Sequence, residues 1–253
     1  MKKFIDNKLS SVMLGIAGLL LFIGLWDLYS IYKDYSLFPR ANEIVKQLLK
    51  VISSKEFISN FTSTIKLALL GTLYATIFGI LLGTAIAESK ILNKLISPLI
   101  NSLRGVAGIS LFPILIVIFG IGDASRIVVI FWTAWPSILM STYRNLLAVD
   151  KEVLEASQVF GAGRWTTLIR IKFPLSTLGI LNGIKIGVGS GWISLVVAEM
   201  LGASKGLGYM LNWSAQTFRF AESYAYIVII SAVLGIITAI LDAISKWLER
   251  KIY

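Results

Sequence analysis

The chain carries no histidine and no cysteine, which removes imidazole bases, thiolate nucleophiles, disulfides and Cys/His metal sites from its chemistry. Carboxylates, amines and hydroxyls remain, and two of the charges stand out by their setting. Lys185 and Glu199 lie in the apolar segment 175–201, where a charge is costly unless it faces protein or water. They are fourteen residues apart, about 21 Å at ~1.5 Å per helical residue, so they cannot pair within one straight helix. Steps of seven nearly restore azimuth. Lys185, Trp192 and Glu199 therefore share one stripe, and Gly183, Gly187 and Gly191 another. The first pattern suits the wall of a polar path through apolar surroundings; the second suits close contact with a neighbouring helix. Lys185 could instead snorkel to headgroups, and Glu199 could cap the following turn at 201–204. No pair of carboxylates inside an apolar run suggests acid–base catalysis. No G-x-x-x-x-G-K-[ST] phosphate loop is present, since 202–205 has neither its spacing nor a hydroxyl after the lysine. The chain is therefore expected not to be an enzyme, and to hold neither cofactor nor metal itself.

The elements that must position these residues are apolar and long. Of 253 residues, 56% are hydrophobic and 15% charged, against about 25% charged in an ordinary soluble domain. Segments 9–26, 67–87, 105–122, 127–143 and 223–241 are free of Asp, Glu, Lys and Arg, and each is long enough to cross a bilayer. Adding 175–201 gives six expected transmembrane helices in an all-α membrane protein, a single transmembrane domain over 1–253. Segments 1–10, 88–104, 144–174 and 246–253 hold more Lys and Arg than 27–63, 120–126 and 202–222, which predicts both termini inside. The net charge of +10 then reflects orientation and anionic headgroups rather than nucleic acid. The start, MKKFIDNK before an apolar run, has no small-x-small cleavage site after it, and the aromatic cluster at 26–29 marks a retained first helix. Phe38 and Pro39 lead into Ile44, Leu48 and Ile52, with Lys46 and Lys50 between, predicting a short amphipathic helix that either lies at the outer interface or packs on the other spans. Arg104 reads as an interfacial anchor. Pro98, Pro113 and Pro136 fall in or beside spans, so neighbouring helices must satisfy the carbonyls they free, which implies a packed bundle.

The most informative polar stretch is 150–174, too polar to span and too long for a simple turn. Asp150 can cap a helix in which Val153, Ala156 and Phe160 recur at three and four, with Glu152 and Glu155 near its positive end. Gly161 or Gly163 can supply the left-handed residue that ends it. A second short helix is expected over 164–171, with Trp165, Leu168 and Ile169 on one side, until Pro174 stops it and starts the next span.

This stretch resembles the EAA loop of type I ABC importer permeases: Glu-Ala-Ala, three residues, Gly, nine residues, Ile-x-Leu-Pro. Glu155, Ala156, Ser157, Gly161, Ile171, Phe173 and Pro174 match that spacing, with Ser for the second Ala and Phe for Leu. The runs 194–208 and 119–123, and the Phe38-Pro39 loop, are similar to the nitrate, sulfonate and taurine subfamily. One departure is 105–108, Gly-Val-Ala-Gly, where relatives carry prolines. The resemblance implies a MetI-like permease fold with its core over 60–248, in a bacterial or archaeal inner or plasma membrane. It implies that 150–174 docks on a separate ATPase that binds ATP and Mg, through Glu155, Ala156, Ser157, Gly161, Ile171 and Pro174, with Glu155 facing a basic partner group. It further implies a second permease copy, two ATPase copies, an extracytoplasmic solute-binding protein, and a small, anionic solute of the nitrate, sulfonate or taurine kind; close relatives also carry vitamin precursors. The competing expectation, an ATP-independent secondary transporter or channel, would call for an internal repeat, and none is evident.

Overall fold

The computed structural model describes residues 8–33, 37–103 and 105–252. Arg104 and the first seven residues, both given roles above, lie outside these. The regular elements among the described residues are all helical: α1 (Lys8–Lys33), α2 (Ala41–Ile52), α3 (Lys55–Glu88), α4 (Lys90–Leu103), a 3-10 turn (Gly108–Leu111), α5 (Phe112–Phe119), α6 (Asp123–Leu147), α7 (Lys151–Val159), α8 (Arg164–Thr167), a π turn (Leu168–Lys172), α9 (Phe173–Gly202), α10 (Leu207–Gln216) and α11 (Phe220–Ile252). They form two compact units, one of residues up to Ile58 with Met210–Ile229, the other of Ser59–Tyr209 with Ile230 onward.

Among the described residues, five helices are long and apolar enough to cross a membrane: Met13–Tyr32, Lys55–Glu88, Asp123–Leu147, Arg164–Gly202 and Phe220–Lys251. Segment 105–122, expected to cross as one helix, does not form one. Its helical part, Gly108–Phe119, is well short of the ~20 residues a span needs. The reasons are local. A Cβ at Gly108 would collide with the Thr133 hydroxyl, so the backbone passes α6 too closely for a helix with ordinary side chains. Pro113 sits in the first turn of α5, where its missing N–H costs nothing. Gly120, at φ 78°, ends it.

The centre of the larger unit is α6, gripped from two sides by small residues. Gly179, Gly183, Gly187 and Gly191 of α9 follow one another at four-residue steps. An added Cβ would collide with the side chains of Asn145 and Ser141 at the first two, and lie 2.9 Å from Ile138 Cγ1 and 3.1 Å from Ile130 Cγ2 at the others. On α3, Gly71, Gly79 and Gly83 do the same against Ile130, Ile138 and Leu139, with fully buried Ala75 between them. Close approach lets hydroxyls bridge helices: Ser141 Oγ donates to Gly179 O at 2.7 Å, Ser176 Oγ to Asn145 O at 2.9 Å, and Thr133 Oγ1 to Ser194 Oγ at 3.1 Å. This small-residue packing substitutes for the hydrophobic drive that lipid removes. Ile86, Ile100, Trp135, Ile138 and Leu139 complete one apolar cluster, and Phe112, Leu115, Val129 and Ala198 another.

In the smaller unit, α2 starts where Asp27 Oδ1 accepts from Ala41 N (2.7 Å) and Trp26 Nε1 donates to Pro39 O (3.0 Å). The helix is amphipathic as expected, but its inward face is Ile44, Leu48 and Val51, and Ile52 is exposed, because 3.6 residues per turn bring position 51 rather than 52 beneath 44 and 48.

Candidate functional site

Residues 150–174 fold into an elbow whose corner is Gly161, at φ 80°. Gly161 N donates to Gln158 O at 2.9 Å and Ala162 N to Ser157 O at 3.0 Å, closing α7 with the backbone. Gly163, at φ −71°, opens α8 in extended geometry. Asp150 stands at the start of α7 without a side-chain capping bond; only its carbonyl is used, accepting from Leu154 N. Pro174 starts the next span as expected, in the first turn of α9, but it does not separate that span from the short helix before it. The π turn at Leu168–Lys172 widens the backbone where the proline ring would strike a carbonyl and its missing N–H would leave one unpaired, and the helix runs on to Gly202.

The elbow has a bound underside and a bare top. Ser157, Thr167 and Leu168 are buried, and Ser157 Oγ donates to Leu154 O at 2.7 Å. Glu88, at the end of α3, pairs with Lys172 Nζ and lies 3.5 Å from Arg164 Nε, while Arg164 Nη2 donates to the Glu88 carbonyl at 2.6 Å. On top, Val159 is 86% exposed, Phe160 89%, Trp165 74% and Ile169 61%. Trp165 and Ile169 thus part company with buried Leu168. Glu155 and Ala156 are exposed on the same elbow; Ile171 and Pro174 are half-buried at its root.

The stripe Lys185, Trp192, Glu199 does not reach one common surface. Glu199 is fully buried. Thr64 Oγ1 donates to it (2.8 Å to Oε1), Gly208 N donates to Oε2 at 2.8 Å, and the Thr64 hydroxyl in turn accepts from Leu207 N at 2.8 Å. Asn60 Oδ1 accepts from Gly206 N at 2.8 Å. The carboxylate thus anchors the turn between α9 and α10, which lies just beyond the 201–204 turn given as the alternative to a place on the path. Gly206 is required there twice over: its φ is 126°, and a Cβ would enter the Glu199 carboxylate. Nearby, buried Arg126 ties the ends of two loops, donating to Gly122 O at 3.0 Å and pairing with Asp123 at 3.0 Å on one side, and donating to Lys205 O at 3.4 Å on the other. Lys185 pairs with Asp242 of α11, both side chains partly exposed (35% and 49%). Trp192 is 3% exposed, and its indole N–H has no acceptor among the described residues. It lines a groove of about 330 Å³ with Thr72, Thr76, Ile184, Val188 and Leu241.

Asp242, Thr64, Asn60 and Glu88 were not picked out from the sequence. Each stands in or at the end of an apolar helix, which is the signal that could have found them. Among the described residues no group of three or more acidic side chains could hold a metal ion.

A chain with bundled apolar helices and a projecting polar elbow is built as a membrane subunit, and the comparisons agree. Residues 75–253 match the model of the binding-protein-dependent transport system inner membrane component family, and the chain belongs to that family. It is an ABC transporter permease and a multi-pass inner-membrane protein. A Methanocaldococcus jannaschii protein described as an ABC transporter permease is 30% identical over all of this chain and 96% of its own. The taurine transport system permease protein TauC of Escherichia coli is 27% identical over 85% of this chain and 78% of its own. The nitrate import permease protein NrtB of Synechococcus elongatus is 27% identical over 97% and 91%. Among solved structures, the fold is shared with a chain of an alginate ABC transporter crystallised with its alginate-bound periplasmic protein (TM-score 0.66, 18% identity, 98% of this chain and 97% of that one). It is shared also with a chain of the inward-facing MetNI methionine ABC transporter (TM-score 0.66, 19% identity, 74% and 93%).

Proposed function

We propose that this permease is half of the translocation pathway of an ABC importer for a small anionic solute, driven by a separate ATPase that grips the 150–174 elbow. The observation that carries this reading is the bare top of the elbow. Phe160, Val159 and Trp165 stand exposed on a segment whose underside is fixed by buried contacts and by Glu88, an arrangement that fits a covering partner. Glu155, Ala156, Ser157 and Gly161 form the gripped part; Ile171 and Pro174 join it rigidly to α9, so that force on the elbow moves a span. Coupling then requires the ATPase to bind two arrangements of the permease with different affinity. ATP and Mg belong to that partner.

In this reading both termini face the cytoplasm, 105–122 makes the remaining crossing as a bent segment rather than one helix, 60–248 is the transport core, two copies of the chain pair with two ATPase subunits, and a solute-binding protein delivers solute outside. The anionic class is supported by relatives whose names specify taurine and nitrate and by Lys185. Lys185 and Trp192 face the path, while Glu199 serves it by holding the α9–α10 turn.

The test is purification of the permease together with its ATPase subunit. Glu155→Lys and Gly161→Ala should each release the ATPase while the permease stays folded, since a Cβ at Gly161 meets nothing within 4 Å and the left-handed φ costs alanine only about 1–2 kcal/mol. Retention of the ATPase by both variants would overturn the proposal.

A further inference from the structure

The Lys185–Asp242 pair is not explained by packing. Each residue is flanked by apolar side chains on its own helix, and an ion pair between two spans is expensive to keep when hydrophobic residues would hold the helices together as well. Nor is it sealed. With side chains 35% and 49% exposed, on two helices apolar enough to cross a membrane, it is kept charged best where protein or water covers it. The Lys ammonium has three donors, and Asp242 Oδ1 takes one. Ile184 and Leu241, the neighbours of the pair in sequence, line the mainly apolar groove whose wall also includes Thr72, Thr76 and Trp192.

We propose that Lys185 is an anion-binding group of the path and that Asp242 occupies it at rest, so that solute must exchange with Asp242 to bind. The inference rests on the pathway reading above and adds to it a residue on α11 and a rule of competition. The paired site is neutral. An anion arriving beside an intact pair would leave a net negative charge in a poorly solvated place, whereas one that displaces the Asp242 carboxylate keeps the site neutral and frees α11 from α9. Occupancy and helix contact are thereby linked, and linkage is reciprocal: whatever loosens α11 raises anion affinity, and bound anion loosens α11. The hydroxyls of Thr72 and Thr76 supply further donors to oxygens of a small sulfonate or oxoanion.

The two partners should respond with opposite sign. In proteoliposomes holding the complete complex, uptake of taurine, nitrate and methanesulfonate is measured for wild type, Lys185→Gln, Lys185→Arg and Asp242→Asn. Lys185→Gln should raise KM at least tenfold, about 1.4 kcal/mol of lost binding, and Lys185→Arg should restore most of it. Asp242→Asn should lower KM several-fold, because the resident competitor is gone. If Asp242→Asn instead raises KM or impairs assembly as Lys185→Gln does, the pair is only a clamp between helices and the proposal fails. A wild-type complex that carries none of the three anions, while its ATPase still binds the elbow, removes the anion site and leaves the coupling reading standing.

Discussion

The α6–α9 seam and the 150–174 elbow treat apolar residues in opposite ways. Along the seam, Gly179, Gly183, Gly187 and Gly191 bring two backbones together, and Ile130, Ile138 and Ala134 are sealed with no exposed surface. On the elbow, Phe160 and Trp165 stand almost bare. Both regions belong to the same compact unit, so the difference is not one of general order. The seam is a contact completed within the chain; the elbow, in the proposed reading, is a contact left open for the ATPase. A transporter subunit driven from outside needs both, since force applied at an open contact is useful only if a stiff core carries it to the spans.

The comparison can be broken most forcefully at the seam. Gly183→Leu should abolish folding or cost more than ~3 kcal/mol, because Ser141 already occupies the space of the new Cβ and a well-packed interior resists insertion; expression level and thermal unfolding in detergent check it. Phe160→Asp should do the reverse: stability within ~0.5 kcal/mol of wild type, as for exposed positions generally, with loss of ATPase binding. Equal destabilisation by the two would erase the distinction between them.

Smaller effects sharpen it. Glu199→Leu removes the acceptor for the Gly208 amide and the Thr64 hydroxyl, at a cost of about 1–3 kcal/mol for buried groups left unpaired, and proteolysis should then enter the 203–208 turn faster. Glu88→Gln weakens the partly exposed pairs under the elbow by ~1 kcal/mol or less. Thermal stability should hardly change, but ATP hydrolysed per solute moved should rise as the elbow loosens at its root.

How far the sequence revealed these features depends on how local their causes are. Gly161 was legible because a left-handed residue is a single-residue requirement, although Gly163 was an equal candidate until the backbone showed which one turned. The stripe at Gly183, Gly187 and Gly191 was legible from periodicity within one helix. The matching stripe at Gly71, Ala75, Gly79 and Gly83 shows the same four-residue spacing and was passed over, because the segment 67–87 satisfied the criterion for a span without it. Segment 105–122 misled for a related reason: apolar content counts residues that lipid tolerates, and says nothing of a backbone bent by Gly108 against Thr133. Asp242 lay just past the end of the apolar window 223–241, and its pairing with Lys185 is set by how α9 and α11 pack, which no local pattern carries. Pro174 was read as a stop because proline breaks α-helical geometry; a π turn beside it accommodates the ring and lets the helix continue.

The exposed top of the elbow as the ATPase's point of attachment can be tested by chemistry this chain makes easy. It contains no cysteine, so Phe160→Cys introduces a sole thiol, and Ile240→Cys, 54% exposed on the apolar span α11, provides the control. In the assembled complex a short thiol-to-amine cross-linker should join Phe160→Cys to the ATPase subunit in high yield and leave Ile240→Cys unjoined. An adduct formed from position 240 and none from position 160 would contradict the assignment.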